Sequence, residues 1–200
     1  RDGSPMALVA NYAMHGTALG PPNTLISGDA PGVVAAYVEE KLGIPVLYVN
    51  GAAGNLAPIY TVQPDFRAAH IDEFKVLLGE RIVAGSKRLP SATADVRLRT
   101  GQQVVHTERK PDFGWDETLK DYLPQSAPSA VRLPVRFLFI NDDTAIYAAP
   151  VELFCEISNG IRGRSRFQHT FFFGYTNGWL GYLCTRKAYE EGGYEPQTAP

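Results

Sequence analysis

Apolar positions along the chain fall into blocks whose spacing separates strands from helices. MALVANYAM (6–14) is a nearly continuous apolar run, the pattern of a buried strand. Asp29 and Pro31 read as a helix cap and an early helical position. Val33, Val34, Tyr37, Val38 and Leu42 follow at helical spacing, and Gly43 ends the segment, predicting a helix over about 30–42. IPVLYVN (44–50) reads as a second buried strand and empties into GAAGNLAP (51–58). Strand, helix and strand in this order predict a right-handed crossover in an α/β sheet. The spacing of Ile71, Phe74, Leu77, Leu78 and Ile82 predicts an amphipathic helix over about 68–88.

The rest of the chain is less regular. ADVRLRT and QQVVHTE (94–108) are strand-like around Gly101, and 110–134 carries four prolines and mixed charge, as a surface excursion would. VRFLFI, NDD and TAIYAAP (135–150) predict a hairpin with an Asn-Asp turn. ELFCEISNGI is expected as a helix after Pro150. HTFFFGYTNGWLGYLCT (169–185) reads as an aromatic strand interrupted by Gly-Tyr-Thr-Asn-Gly, then a short extended piece. KAYEE predicts a short helix, and GGYEPQTAP a terminal loop. The expectation is one α/β domain over 1–200, a mixed sheet with flanking helices and an irregular insertion at 91–133. RDGSP resembles a hairpin turn whose first strand precedes this sequence, so the domain is expected to be incomplete at its N-terminus.

Composition narrows the function. Hydrophobic residues make up 44% and charged residues 20%, an ordinary globular balance. A net charge of -2 argues against a nucleic-acid surface. Cys155 and Cys184 form neither a disulfide framework nor a C-x-x-C pair, and read as reduced, buried thiols.

Four places set a polar group where an apolar strand ends: His15, the GAAGNLAP loop, Glu152 and Tyr182. In open α/β sheets ligands bind outside the carboxyl ends of strands, and a histidine, a carboxylate and a phenol brought together there suit a borderline divalent metal. Each also has a plainer reading. His15 serves as a satisfied imidazole, Glu152 as an acid at a helix start, and Tyr182 as an amphipathic core residue. GAAGNLAP lacks the endings of nucleotide and dinucleotide loops, and no G-x-S-x-G elbow occurs, which disfavours a conventional serine hydrolase. Ser27 reads as part of a helix-start turn, and His106, among charged residues, as solvated.

NYAMHGTAL, NTLISGD with Pro-Gly, NGAAGNLAP, PVELF and GYTNGWLGYLCTRKAYEEGGYE, taken in order, resemble the neutral/alkaline ceramidase family. That resemblance implies a zinc amidase cutting the N-acyl bond of ceramide or a related lipid-like acyl substrate, with the metal site at strand C-terminal ends. It implies His15, Glu152 and Tyr182 as zinc ligands, Val151 replacing the glycine of the P-G-E-F-type motif and YLCT standing for Y-x-T-T. It places Tyr194 and Gly54 near the reacting amide, and Asn55 and Asn177 on the substrate side. It also implies a secreted or periplasmic protein meeting membrane surfaces.

Two departures matter. The family's His-Thr-His-Ser-Gly-Pro-like segment, which supplies its first zinc histidines, does not occur in these residues. Where the family reads G-D-V-S-P, this chain reads Gly54-Asn55-Leu56-Ala57-Pro58, so Ala57 stands at the serine regarded as catalytic. A methyl group cannot attack a carbonyl, and a metal-activated water becomes the expected nucleophile. The rival expectations are a metal hydrolase acting on a non-sphingolipid substrate and a non-catalytic lipid- or glycan-binding member.

Overall fold

The computed structural model describes residues 3–59, 68–90, 93–110, 117–123 and 129–200. The expected insertion at 91–133 therefore lies partly outside the described residues. The chain packs as two compact units, Arg1–Asn50 with Leu56–Asp95, and Gly51–Asn55 with Val96–Pro200. Together they are a mixed α/β structure, as the spacing predicts.

In the first unit, β1 (Leu8–Tyr12) and β2 (Val46–Asn50) pair in parallel, from Leu8 opposite Val46 to Tyr12 opposite Asn50. The connecting helix α1 (Asp29–Leu42) buries Ala30, Val34 and Val38, a stripe at four-residue spacing, in a core with Ala10, Met14 and Val46. It stops at Gly43, whose φ of 67° is a left-handed value that glycine adopts without strain.

Two expectations change here. The predicted 68–88 helix is a composite: a 3₁₀ stretch (Ala68–Glu73), a π turn (Lys75–Gly79) and then α2 (Glu80–Ser86). Apolar spacing sees a helical face but not a change of helical pitch. The π turn sets Gly79 against Tyr37, where a Cβ would stand 2.6 Å from a ring carbon. The second change concerns Asp29, which does not cap α1 in the ordinary way. Its φ is 53°, and its buried carboxylate accepts the amides of Ala18 and Leu19 (both 2.9 Å) as well as Ala30 (2.6 Å). The side chain thus ties the loop after His15 to the start of α1. Ser27 occupies the expected turn, its Oγ accepting the Asp29 amide at 3.0 Å.

The second unit is built on a mixed four-stranded sheet in the order β3 (Leu98–Glu108), β4 (Ala130–Ile140), β5 (Thr144–Ala148) and β7 (His169–Phe173). The first two pairings are antiparallel and β5–β7 is parallel. The expected hairpin turn carries Asn141 at φ 53°. Strand β3 runs unbroken through Gly101, and β4 begins before Pro134 rather than after it. Pro134 is tolerated because β5 pairs only with Arg136–Ile140, so β4 has no β5 partner at the proline.

A second, smaller sheet pairs β6 (Glu152–Leu153) with β8 (Tyr182–Leu183) in parallel. Helix α3 therefore spans Cys155–Arg164 rather than starting at Glu152. Helix α4 (Arg186–Glu191) follows the KAYEE expectation, and the terminal stretch expected as a loop forms a short helix, α5 (Tyr194–Thr198).

Replacing Asp29 by alanine strands buried amides at residues 18 and 19 and should lower unfolding stability by about 1–3 kcal/mol. Asp29→Asn, which keeps one acceptor oxygen, should cost less. Urea denaturation measures both, and an unchanged midpoint for Asp29→Ala would show that this carboxylate does not hold the loop.

Candidate functional site

Glu152 is 8% exposed, unusually buried for a carboxylate, and sits in the two-residue strand β6 rather than at a helix start. Backbone bonds fix it from both sides: its amide donates to Gly181 (2.9 Å), and the next amides along the path run from Gly54 to Leu153 (2.9 Å) and from Phe154 to Leu183 (3.1 Å). The register places Glu152 directly opposite Tyr182. The structure thus brings together two of the three residues expected at a metal.

Two further residues complete the arrangement. The Tyr175 hydroxyl donates to Glu152 Oε2 at 2.8 Å, and the Trp179 indole N–H donates to Oε1 at 2.7 Å. A buried carboxylate requires such donors, and bonds to a charged acceptor are the strong class. Neither aromatic was singled out in the sequence, although both lie in the GYTNGWLG turn that interrupts the aromatic strand. The turn's backbone explains how they reach Glu152. Tyr175 and Asn177 have φ of 54° and 59°, rare for non-glycine residues, and Gly178 and Gly181 lie at 144° and 93°. The turn is stitched to 149–150 by the Thr176 amide on Ala149 (3.1 Å) and the Leu180 amide on Pro150 (2.6 Å). A strained backbone of this kind persists where its surroundings over-determine it.

Burial first, then the charge of Glu152, pushes the Tyr182 phenol well above its ordinary value. Burial and the bond to Glu152 do the same for Tyr175. Both phenols therefore remain protonated hydrogen-bond donors through neutral pH. Tyr194 is 66% exposed and meets Tyr182 edge-on, with ring centroids 5.9 Å apart. It lies beside Tyr182 with its own ring largely in the open.

The Gly54–Asn55 part of the glycine loop has a structural part in this unit. A Cβ on Gly54 would collide with the Glu152 carbonyl oxygen and stand 3.0 Å from the Leu153 carbonyl carbon, so glycine is what permits the loop to lie on β6. Its amide is committed to Leu153. That amide is thus used within the fold, while Gly54 lies on the strand that carries Glu152. Asn55 likewise uses its side chain internally: Oδ1 accepts the Cys155 amide (2.9 Å), and Nδ2 donates to Glu156 (2.8 and 3.1 Å). It caps α3 across a long sequence separation, so its side chain has a structural task in this unit. Asn177 is exposed and lines a separate polar cavity of about 400 Å³ with Arg132 and Tyr122.

In the first unit, His15 is half-buried just beyond β1, and its amide donates to Leu56 at 3.0 Å. That bond sets the histidine loop beside exposed Ala57. Among the described residues, no three His, Cys, Asp or Glu side chains cluster so as to hold a metal ion. Each Glu152 oxygen keeps a lone pair beyond the bond it accepts from Tyr175 or Trp179, so the carboxylate has room for a further partner. Both cysteines are free thiols, Cys184 buried and Cys155 half-buried.

No family model and no curated protein matches the sequence. Solved structures do match its fold. Neutral ceramidase from Pseudomonas aeruginosa superposes with a TM-score of 0.66 at 18% identity, covering 95% of this chain and 40% of that one. A ceramidase complexed with C2 gives 0.64 at 16% identity, covering 95% and 42%. At such identities the likeness is one of fold, and the chain spans well under half the length of these neighbours.

Gly54→Ala should cost about 1–3 kcal/mol, because the atom it meets is backbone and cannot swing away. Equal thermal midpoints for the two proteins would contradict the close approach. A second expectation concerns Cys184, whose thiol burial first, then the Glu195 charge, pushes up to about 11 from an ordinary 9.0. In the native protein its alkylation should be slow at pH 8 and rise only towards pH 11. Because the folded value lies above the unfolded one, the linked stability is complete below pH 9 and is lost as pH climbs through about 11. Mass-resolved alkylation checks this, and rapid native modification of Cys184 at pH 8 would refute it.

Proposed function

We propose that this chain is part of a ceramidase-like hydrolase that cleaves an N-acyl amide, in ceramide or a related acyl lipid. The observation that carries the reading is the buried Glu152 carboxylate registered opposite Tyr182 and held by Tyr175 and Trp179. The ceramidase-like fold over 95% of the chain supports it.

The zinc ligands assigned by resemblance, His15, Glu152 and Tyr182, are the proposed set. Bound there, zinc would polarise an acyl carbonyl and make water a better nucleophile. The chain's own residues have definable tasks. Tyr175 and Trp179 take opposite oxygens of Glu152 and hold the carboxylate in one orientation, an arrangement that fixes a ligand before substrate arrives. Tyr194, edge-on to Tyr182, would offer its phenol proton to the oxygen that gains charge as the amide carbonyl becomes tetrahedral. Ala57 has no group to attack with, so the hydroxyl that joins the acyl carbon comes from water, while the amine leaves with a proton. Products are a fatty acid and a free amine.

No helix among the described residues is long and apolar enough to cross a membrane. Contact with a lipid surface, export, and the absence of a nucleic-acid partner belong to the same proposal. Ala57 favours one variation on it: a substrate other than ceramide, on the same scaffold.

The test uses the full-length protein on a fluorescent N-acyl sphingosine beside a panel of esters and N-acyl amino acids. Hydrolysis of at least one N-acyl amide is expected, and inertness towards all of them would favour a binding protein. Ala57→Ser should keep this activity, and raise it on ceramide-like substrates. Its complete loss in a folded protein would show that the site needs the space a methyl leaves.

A further inference from the structure

The chain holds three Asn-Gly pairs, at 50–51, 159–160 and 177–178. Such a pair carries its own chemistry. The backbone nitrogen of the glycine attacks the Asn side-chain carbonyl carbon, a succinimide ring closes, and ammonia leaves. Water then opens the ring at either carbonyl. One product is aspartate; the other is an isoaspartyl link, in which the main chain runs through the former side chain. The fold decides whether the side chain and the next amide are free to meet.

Two of the pairs are restrained. Asn50 ends β2, its Oδ1 accepts the Met14 amide at 3.2 Å, and Gly51 is buried. Asn159 lies inside α3, its Oδ1 accepts Arg162 at 2.5 Å, and the helical ladder occupies the Gly160 amide. Asn177 and Gly178 are both exposed. Among the described residues, neither the Asn177 side chain nor the Gly178 amide makes a hydrogen bond. They form the unbonded centre of a turn that the Thr176 and Leu180 amides stitch down on either side.

Packing explains why this dipeptide stands there. A Cβ on Gly178 would collide with the Tyr122 hydroxyl oxygen, and its φ of 144° suits glycine. Asn177, at φ 59°, occupies the left-handed region that asparagine enters more readily than most residues. The turn that delivers Tyr175 and Trp179 to Glu152 therefore contains a self-reactive pair with both reacting groups unoccupied.

We propose that Asn177 is a site of self-modification, passing through a succinimide to aspartyl and isoaspartyl forms as the molecule ages. The isoaspartyl form adds a methylene to the backbone between Asn177 and Gly178, next to Trp179. It thereby draws the indole away from Glu152 Oε1, which it meets at 2.7 Å. The modification stands on the turn alone; its effect on turnover rests on the proposed hydrolysis at Glu152.

The test incubates the full-length protein in mildly alkaline buffer and follows all three pairs by peptide mapping, which separates aspartyl and isoaspartyl peptides from the parent. In the folded protein Asn177 should convert about tenfold faster than Asn50 or Asn159, the order of restraint that one hydrogen bond supplies. In concentrated urea the three rates should converge. Comparable native rates at the three sites, or an Asn177 that converts only in urea, would overturn the proposal. Trp179 emission, read in a Trp115→Phe background that leaves it the sole indole, gives the second measurement. It should shift in step with isoaspartate, and Asn177→Gly, which suits a left-handed φ and has no amide to lose, should hold it constant. Emission that stays fixed while isoaspartate accumulates would overturn the link to Glu152. N-acyl amide hydrolysis on the same samples should fall in parallel. Isoaspartate in a protein that hydrolyses no amide even when fresh counts against the proposed function alone, and hydrolysis with Asn177 intact throughout counts against this modification alone.

Discussion

A carboxylate buried to 8% exposure has to be satisfied, and around Glu152 much of the second unit is arranged to do so. Tyr175 and Trp179 supply the donors, and to reach it their turn takes two non-glycine residues into left-handed backbone. The turn is held to 149–150 by backbone bonds, and the strand below it is too short to be stable without its neighbours. Gly54 lets the glycine loop close over that strand, and Asn55 from the same loop caps the helix that follows. The charge at Glu152 is the object of the Tyr175 and Trp179 bonds, while Gly54 and Asn55 support the backbone that carries it.

Much of the fold was legible from spacing. The parallel pair β1–β2 with its crossover helix follows from two apolar runs and a four-residue stripe, which are local patterns with one physical reading. The β4–β5 hairpin was equally plain in NDD between apolar strands. Two of the misreadings turned on a long-range partner, and a third on helical pitch. The hairpin was expected to begin at 135, after the proline-bearing stretch, but β4 starts at Ala130 and takes in Pro134, where it has no β5 partner. Asp29 looked like a helix cap, but its carboxylate turns to amides about ten residues earlier. The 68–86 segment keeps a helical face while passing through three pitches, which periodicity cannot register.

The candidate site divides in the same way. Glu152 and Tyr182 stood out as polar groups at strand ends, and their register is a consequence of the strand pairing. Tyr175 and Trp179 did not stand out, because an aromatic in an aromatic-rich stretch carries no signal of what its polar edge will meet. Asn55 sat in the right loop for a ligand contact, yet tertiary packing uses its amide to start α3. Glycines in that loop mark the close approach of two backbones, which is as common a reason for glycine as a bound ligand. The fold neighbours have the same architecture at 16–18% identity, a level at which side-chain duties must be argued from this chain.

The central claim is that Glu152 is a metal-holding carboxylate of a hydrolase, oriented by its aromatic donors. Zinc content by elemental analysis, measured on the same full-length preparations as N-acyl amide hydrolysis, tests it most directly. Wild type should carry zinc, and Glu152→Gln should lose metal and hydrolysis together while keeping its circular dichroism. Trp179→Phe, which removes one orienting bond, should weaken zinc binding by about 10–100-fold without abolishing it. Undiminished hydrolysis in a folded, zinc-free Glu152→Gln protein would contradict the account.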